Sequence, residues 1–311
     1  MNSNLKYKTD KVIKAKKSRK NNHILKNWWI HLIMLTYSLF CIIPLILVIS
    51  ESFSSDKAIA IKGFSLFPVG FTLNAYKTIF NRPDQIIHSY MITIIVTAIG
   101  TIIGVTFTSM LAYVISRKDY PLANKTSFYV FFTMLISGGM VPWYILISKT
   151  LGLNNTIYAL IIPYLIIPWH VMLMRGFFSD IPTSLIESAK IDGASEYTIF
   201  FRIVAPITKS GLATIGLFTM LLFWNDYYLS LMFIENDNLV SLQFLLYRIM
   251  SNINFLNSAL AIHSGVTSSA EIPTDSARMA MCVLAAGPML FIFPFFQKYF
   301  TKGVTVGAVK G

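Results

Sequence analysis

The segment Glu187-Ser-Ala-Lys-Ile-Asp-Gly-Ala-Ser-Glu196 spaces three carboxylates around one glycine. Acidic groups held at such spacing offer charge-assisted bonds to lysine or arginine on another surface. Nothing beside them points to catalysis. The histidines at 23, 31, 88, 170 and 263 are scattered, and no Gly-x-x-x-x-Gly-Lys phosphate loop occurs. A second group is Trp224-Asn-Asp-Tyr-Tyr228, where Asp226 lies inside an otherwise apolar run. An ionisable group in such a run is costly and marks a functional hypothesis. The aromatic faces of Trp224, Tyr227 and Tyr228 beside the oxygens of Asn225 and Asp226 suit the hydroxyls of a sugar. The competing reading places this segment near an outer membrane interface, where aromatics belong and Asp is hydrated. Asp226 stands about 25 Å from Lys209 along a helix rising about 1.5 Å per residue.

The elements that must position the carboxylates can be read locally. Thr183 or Ser184 is an N-cap candidate for a short helix, with Pro182 just before or at its start. Leu185, Ile186 and Ala189 mark its apolar face, and Gly193 breaks it by taking a positive φ. A second short helix from about Ser195 to Val204 groups Ile199, Phe200 and Ile203, and Pro206 ends it. The expectation is a helix–turn–helix knob bearing Glu187, Asp192 and Glu196. A purely connecting interfacial helix would favour a Lys/Arg-rich polar face; acidic residues beside an anionic leaflet argue for a protein partner.

The rest of the chain supplies a membrane for that knob to sit on. Of 311 residues, 55% are hydrophobic and 13% charged, against about 25% charged in a soluble domain. The mean hydropathy is +0.61. Six stretches are long enough for a bilayer core of about 30 Å: Trp29–Ile49, Ser89–Ile115, Phe128–Ile147, Thr156–Met174, Gly211–Ile234 and Met279–Phe300. Continuous apolar runs, such as the one from Thr93 to Gly104, exclude a β-barrel, which alternates. The expected fold is all-α: a polytopic membrane protein with six transmembrane helices and a cytoplasmic helix–turn–helix loop.

Charge sets the orientation. Residues 1–27 form a basic tail with Asp10 as its lone acid, so both that end and the C-terminus are expected in the cytoplasm. The inner loops are then Arg117–Lys125 and Arg175–Lys209. The net charge of +12 lies at membrane-flanking positions, where anionic lipid attracts it. Tyr7 is the sole aromatic in the tail, so nucleic-acid binding is not indicated. The first apolar segment is read as a retained helix, because it is long for a signal core and no small-x-small site follows.

Residues 28–311 read as one membrane domain. Its outer loops span about 50–88, expected to lie along the membrane face, and about 235–278, which is rich in Asn and Ser. Cys41 and Cys282 are expected as buried free thiols. Gly100 and Gly104 form a Gly-x-x-x-Gly for close helix contact, more naturally within the subunit than with a partner.

The acidic segment resembles the EAA loop of ABC importer permeases. It matches at Glu187, Ala189, Asp192, Gly193, Ala194, Phe200, Ile203 and Pro206, and departs at Ser188, where Ala is usual. Over about Pro44 to Gly311 the chain is similar to binding-protein-dependent carbohydrate permeases of the maltose-type inner-membrane class. Ser137-Gly-Gly-Met-Val-Pro142, Gly152-Leu-Asn-Asn-Thr156, Trp224-Asn-Asp226 and the Gly303–Gly311 tail add to this.

The resemblance implies a coupling loop at about 182–207 that docks in a cleft of an ATPase subunit. It also implies a pathway shared with a second, homologous permease, two ATPases that bind ATP-Mg, and an extracytoplasmic sugar-binding protein that delivers an oligosaccharide. The chain itself would need no cofactor or metal and would catalyse no covalent chemistry. Asn225, Asp226, Tyr228 and Trp224 are the pathway candidates. The alternatives are an ABC permease for a non-sugar solute and, more remotely, an ion-coupled carrier. The carrier reading calls for paired intramembrane carboxylates that the sequence lacks.

Overall fold

The computed structural model describes residues 28–256 and 274–307, with side chains as far as 297. The basic tail 1–27, the stretch 257–273 of the second expected outer loop, and 308–311 lie outside the described residues. Among the described residues the chain is helical, with no strand.

In chain order the helices are α1 Trp28–Ser52, α2 Asp56–Lys62, α3 Asn74–Ile79 and α4 Pro83–Ser116. Then come α5 Ala123–Leu135, α6 Met140–Thr150, α7 Ile157–Tyr164, α8 Pro168–Ser179, α9 Thr183–Ile191 and α10 Glu196–Ile207. The last four are α11 Lys209–Asn225, α12 Tyr228–Phe233, α13 Leu242–Leu256 and α14 Asp275–Gly307.

Among the described residues three helices are long and apolar enough to cross a membrane by themselves: α1, α4 and α14. Three more crossings follow if each bent pair is one span: α5 with α6 at 111°, α7 with α8 at 49°, and α10 with α11 at 87°. The stretches expected as single helices at Phe128–Ile147 and Thr156–Met174 are therefore bent. The stretch Gly211–Ile234 is also interrupted: α11 stops at Asn225, and Asp226 is extended. Hydropathy counts register composition and are blind to such breaks.

The stretches expected as outer loops carry more structure than their composition announced. Residues 50–88 hold α2 and α3, and 235–278 holds α13. Two buried or tethered acids fasten them. Glu51, 2% exposed, accepts a bond from the Ser65 N–H at 2.5 Å. Asp56 accepts from the N–H groups of Thr274 at 2.8 Å and Ser276 at 2.9 Å, tying α2 to the first turn of α14. Cys41 and Cys282 are free but exposed on this chain, not buried as expected. Their helices turn apolar faces outward, and a thiol belongs to such a face as readily as to a core.

Packing divides into two buried clusters, and α4 runs through both. Ile86 and Val96 join one that contains Phe223, Trp224, Leu229, Phe233, Val240 and Leu242. Ala112, Tyr113 and Ile115 join the other, with Val171, Met174, Phe178, Ile186, Ala189, Ile199 and Phe200. The buried face of α4 is built largely of small residues, among them Ser89, Thr93, Thr97, Gly100, Gly104 and Thr108. A Cβ on Gly100 would fall 2.6 Å from the Phe223 ring, and one on Gly104 would fall 3.2 Å from the Leu165 carbonyl. Both contacts lie within the subunit, which answers the question the Gly-x-x-x-Gly raised.

Candidate functional site

The acidic knob forms, with three local differences. Helix α9 starts at Thr183 with Pro182 in the capping position, so neither Thr183 nor Ser184 caps it through a side chain. Ile186 and Ala189 are buried, as their spacing requires, but Leu185 is 44% exposed. At the other end Gly193 has φ 76°. Its N–H donates to the Lys190 carbonyl at 3.0 Å, and the Ala194 N–H donates to the Ala189 carbonyl at 3.0 Å. This paired bonding closes the last turn around a left-handed residue. Nothing lies within 4 Å of a Cβ built on Gly193, so conformation, not space, demands glycine.

The second arm begins at Ser195, whose hydroxyl accepts from the Thr198 N–H at 3.3 Å. It then widens: over Ile199–Val204 the helix takes π geometry, and the Ala205 N–H donates to the Phe200 carbonyl. Pro206 was expected to end the arm. Instead the arm runs to Ile207 and turns at Thr208. Proline has no N–H to give to the preceding turn, and its ring crowds the carbonyl four residues back. A wide turn just before it relieves that crowding.

The matched residues split into two sets. Glu187, Ser188, Asp192, Gly193 and Pro206 are exposed, while Ala189 and Phe200 are buried and Ala194 and Ile203 are half-buried. Glu196 does not behave as a free knob residue. It pairs with Arg117 at 3.0 Å and with Lys190 at 3.0 Å. Lys190 also reaches Asp119 at 2.8 Å, and Arg117 is bonded to Asp119 and to the Tyr113 hydroxyl. The bonds from Arg117, and then from Lys190, hold the Asp119 carboxyl well below the usual carboxylate range. The bonds to Asp119 and Glu196 raise Lys190. This cluster straps the coupling-loop candidate to the end of α4. Sequence reading missed Tyr113, Arg117, Asp119 and Lys190, because separations of 71 and 79 residues leave no local signal.

The second candidate group is dispersed. Trp224 is 3% exposed and donates its indole N–H to the Ala285 carbonyl at 2.9 Å. Asn225 bonds back to the Leu221 carbonyl of its own helix at 2.8 Å. Asp226 receives the Tyr164 hydroxyl at 3.2 Å and the Leu229 N–H at 3.1 Å, so it bridges α7 to the start of α12. Tyr228 alone of the four lines a cavity of about 620 Å³, together with Ser137, Gly139, Trp143 and Tyr164. Among the described residues no group of three or more His, Cys, Asp or Glu is placed to hold a metal ion.

Residues 110–306 match the family described as "Binding-protein-dependent transport system inner membrane component". The chain is 38% identical over 278 residues to the polygalacturonan/rhamnogalacturonan transport system permease protein YtcP of Bacillus subtilis (strain 168), covering 89% of this chain and 96% of that one. It is 37% identical over 270 residues to protein LplC of the same organism, covering 87% and 90%. It is also similar to a solved chain from a bacterial ABC transporter involved in the import of the acidic polysaccharide alginate. That likeness has a TM-score of 0.72 and 26% identity, and covers 89% of this chain and 96% of that chain.

Proposed function

This chain belongs to the family of inner-membrane components of binding-protein-dependent transport systems, and from that membership we propose that it is the carbohydrate-conducting permease of an ATP-driven importer. It is a membrane transport subunit of the ABC class, not an enzyme. The cargo is an oligosaccharide. Support comes from relatives named for polygalacturonan and rhamnogalacturonan, and from the alginate importer. The pathway forms between this subunit and a second, homologous permease. The segment from Asn225 to Tyr228 contributes to it, while Trp224 is buried and bonded to α14. An extracytoplasmic sugar-binding protein delivers the cargo. Two separate ATPase subunits bind ATP-Mg, and this chain needs no cofactor of its own. The chain crosses the membrane six times, with residues 1–27 and the C-terminus in the cytoplasm.

Energy enters through the loop at 182–207. The observation that carries this reading is the split of its residues: Glu187, Ser188, Asp192 and Gly193 face out, while Ala189 and Phe200 anchor the loop in a buried cluster. A loop that is exposed at its acidic tip and rigid at its base can accept a push and pass it on. Glu187 is the group that pairs with a basic residue of the ATPase cleft. Ser188 is small enough to keep that contact close. The test uses Glu187→Lys and Gly193→Pro in cells that depend on this importer. Both variants should reach the membrane at normal levels yet lose uptake and substrate-stimulated ATP hydrolysis. Normal uptake by both would remove the coupling assignment.

A further inference from the structure

We infer that the cavity among Trp143, Tyr164 and Tyr228 is a ring-stacking subsite for the sugar units of the cargo, one that reads ring faces and hydroxyls and leaves charge unread. The inference rests on the carbohydrate reading above and deepens it.

The first support is where the helices break. Ser137–Gly139 is the non-helical link between α5 and α6, Tyr164 closes α7 before its bend into α8, and Tyr228 opens α12 after the break at Asp226. All three breaks meet at one cavity. Non-helical backbone at membrane depth is tolerated where it is buried in protein or lines a watery space. Ser137, Gly138 and Gly139 are exposed on this chain, so they are not buried within it. In secondary transporters, discontinuous helices meeting at a cavity form the cargo site, and the same geometry recurs here.

The second support is the wall itself. Trp143 and Tyr228 are near-parallel, 6.0 Å apart with 20° between planes. Trp143 is backed by Phe233 at 5.1 Å, and Phe233 is 1% exposed. Tyr164 is backed by Phe223 at 6.1 Å, and its hydroxyl is fixed on Asp226. Each of the three rings is half-buried, so part of each is open to the cavity. Rings locked from behind lose little freedom on binding, which favours affinity. The apolar C–H face of a pyranose matches an aromatic face, and its rim hydroxyls find the Ser137 and Tyr228 hydroxyls. The volume of about 620 Å³ falls in the range of small-molecule sites.

The third support is what the wall lacks. Among the described residues no charged side chain lines this cavity. The two oxygens of Asp226, the nearest carboxylate in sequence, are engaged by Tyr164 and Leu229. Selection between neutral and acidic sugars must therefore be made elsewhere, in the partner permease or the binding protein.

The test uses the complete importer in vesicles: this chain, its partner permease, the ATPases and the binding protein. The probes are a short oligogalacturonate, its uncharged methyl ester, and neutral malto- and galacto-oligosaccharides, each supplied at saturation. The variants are Trp143→Ala, Tyr228→Ala, Tyr228→Leu and Trp143→Phe. Removing a ring should cut uptake per ATP hydrolysed by about 5- to 10-fold, by the same factor for acidic and neutral sugars. Stimulation of ATP hydrolysis by the loaded binding protein should persist. Trp143→Phe should stay within about twofold of the parent, and Tyr228→Leu, which keeps volume without a ring, should match Tyr228→Ala. Unchanged uptake per ATP in every ring-deleted variant overturns the subsite, as does a loss confined to the acidic probes. If the unmodified importer carries no oligosaccharide at all, the carbohydrate reading falls first and the subsite with it.

Discussion

The Arg117 guanidinium lies 3.0 Å from the Glu196 carboxylate, across 79 residues of chain. That bond joins the end of α4 to the first turn of α10. Lys190, at the end of α9, shares both Glu196 and Asp119, so each arm of the loop is tied to the same helix end. The members differ in exposure: the Arg117 side chain is 11% exposed, Lys190 40% and Glu196 56%. Ion pairs in the open are worth about 0–1 kcal/mol. Lys190→Ala should therefore cost little stability, within about 1 kcal/mol. Arg117→Ala should cost more, about 1–3 kcal/mol, because it strips partners from Asp119, Glu196 and Tyr113 together. Thermal unfolding of the purified importer measures both. Function supplies the sharper readout. Arg117→Glu should lower uptake per ATP, and adding Glu196→Arg should restore part of it. A double variant no better than the single would mean that the bond carries no force.

Acid and base should act on this strap from opposite ends. Asp119 titrates near pH 3.9 when unfolded, about its free value, and lower in the folded chain. A lowered carboxylate contributes stability above its unfolded value and loses it as the pH falls through the folded one. Lys190 is raised, so its contribution is whole below about pH 10.4 and is lost as the pH climbs through the folded value. Amide-exchange protection of α9 and α10, normalised for intrinsic rates, should stay level from about pH 5 to pH 9 and weaken below about pH 4. Asp119→Asn should abolish that acid limb. A transition between pH 5 and pH 7 would contradict the pairing.

Gly193 is open in space and constrained in angle, with φ 76° and nothing within 4 Å of a Cβ. Gly193→Ala should thus cost about 1 kcal/mol, the conformational penalty alone, and leave most transport intact. Gly193→Pro cannot adopt a positive φ and cannot supply the N–H that Lys190 receives, so it should abolish coupling. Uptake assays with a matched immunoblot of membrane fractions separate the two. Equal loss in both variants would show that the residue is needed for its bareness instead.

Gly100 presents the reverse case. A Cβ there would sit 2.6 Å from the Phe223 ring. Gly100→Ala should push α4 away from α11 and cost about 1–3 kcal/mol. Pairing it with Phe223→Leu should recover much of the loss. Gly287→Ala, where nothing lies within 4 Å, is the control and should be near neutral. Melting temperatures of the four proteins decide the matter, and an undisturbed Gly100→Ala would refute the close approach.

What could be read from the sequence was local. Gly193 announced its turn, and Ile186, Ala189 and Ile199 announced their buried face, because each depends on neighbours within one or two helical turns. Long apolar runs announced helices in a membrane. They did not announce the breaks at Ser137–Gly139 or Asp226, since hydropathy averages over composition. The π turn before Pro206 went unread for a similar reason: proline was taken to stop a helix, while the chain widened to keep it. Trp224 looked like a cargo-facing ring. Its bond to the Ala285 carbonyl, 61 residues away, makes it a packing residue. The Arg117–Glu196 strap lies furthest from sequence logic, since opposite charges that distant match many partners equally well.

The 34 residues of α4 form a rod about 51 Å long at about 1.5 Å per residue, with its two ends set in different cores. A rod behaves as an oar in an oarlock. With the pivot at one end, a tilt of about 5° sweeps the other by about 4 Å. Phe223 bears on Gly100, near the middle of the rod, so a tilt about that contact would be divided between the two ends. Under the coupling proposed above, moving that contact one helical turn along α4 would change how far one end travels when the other is pushed.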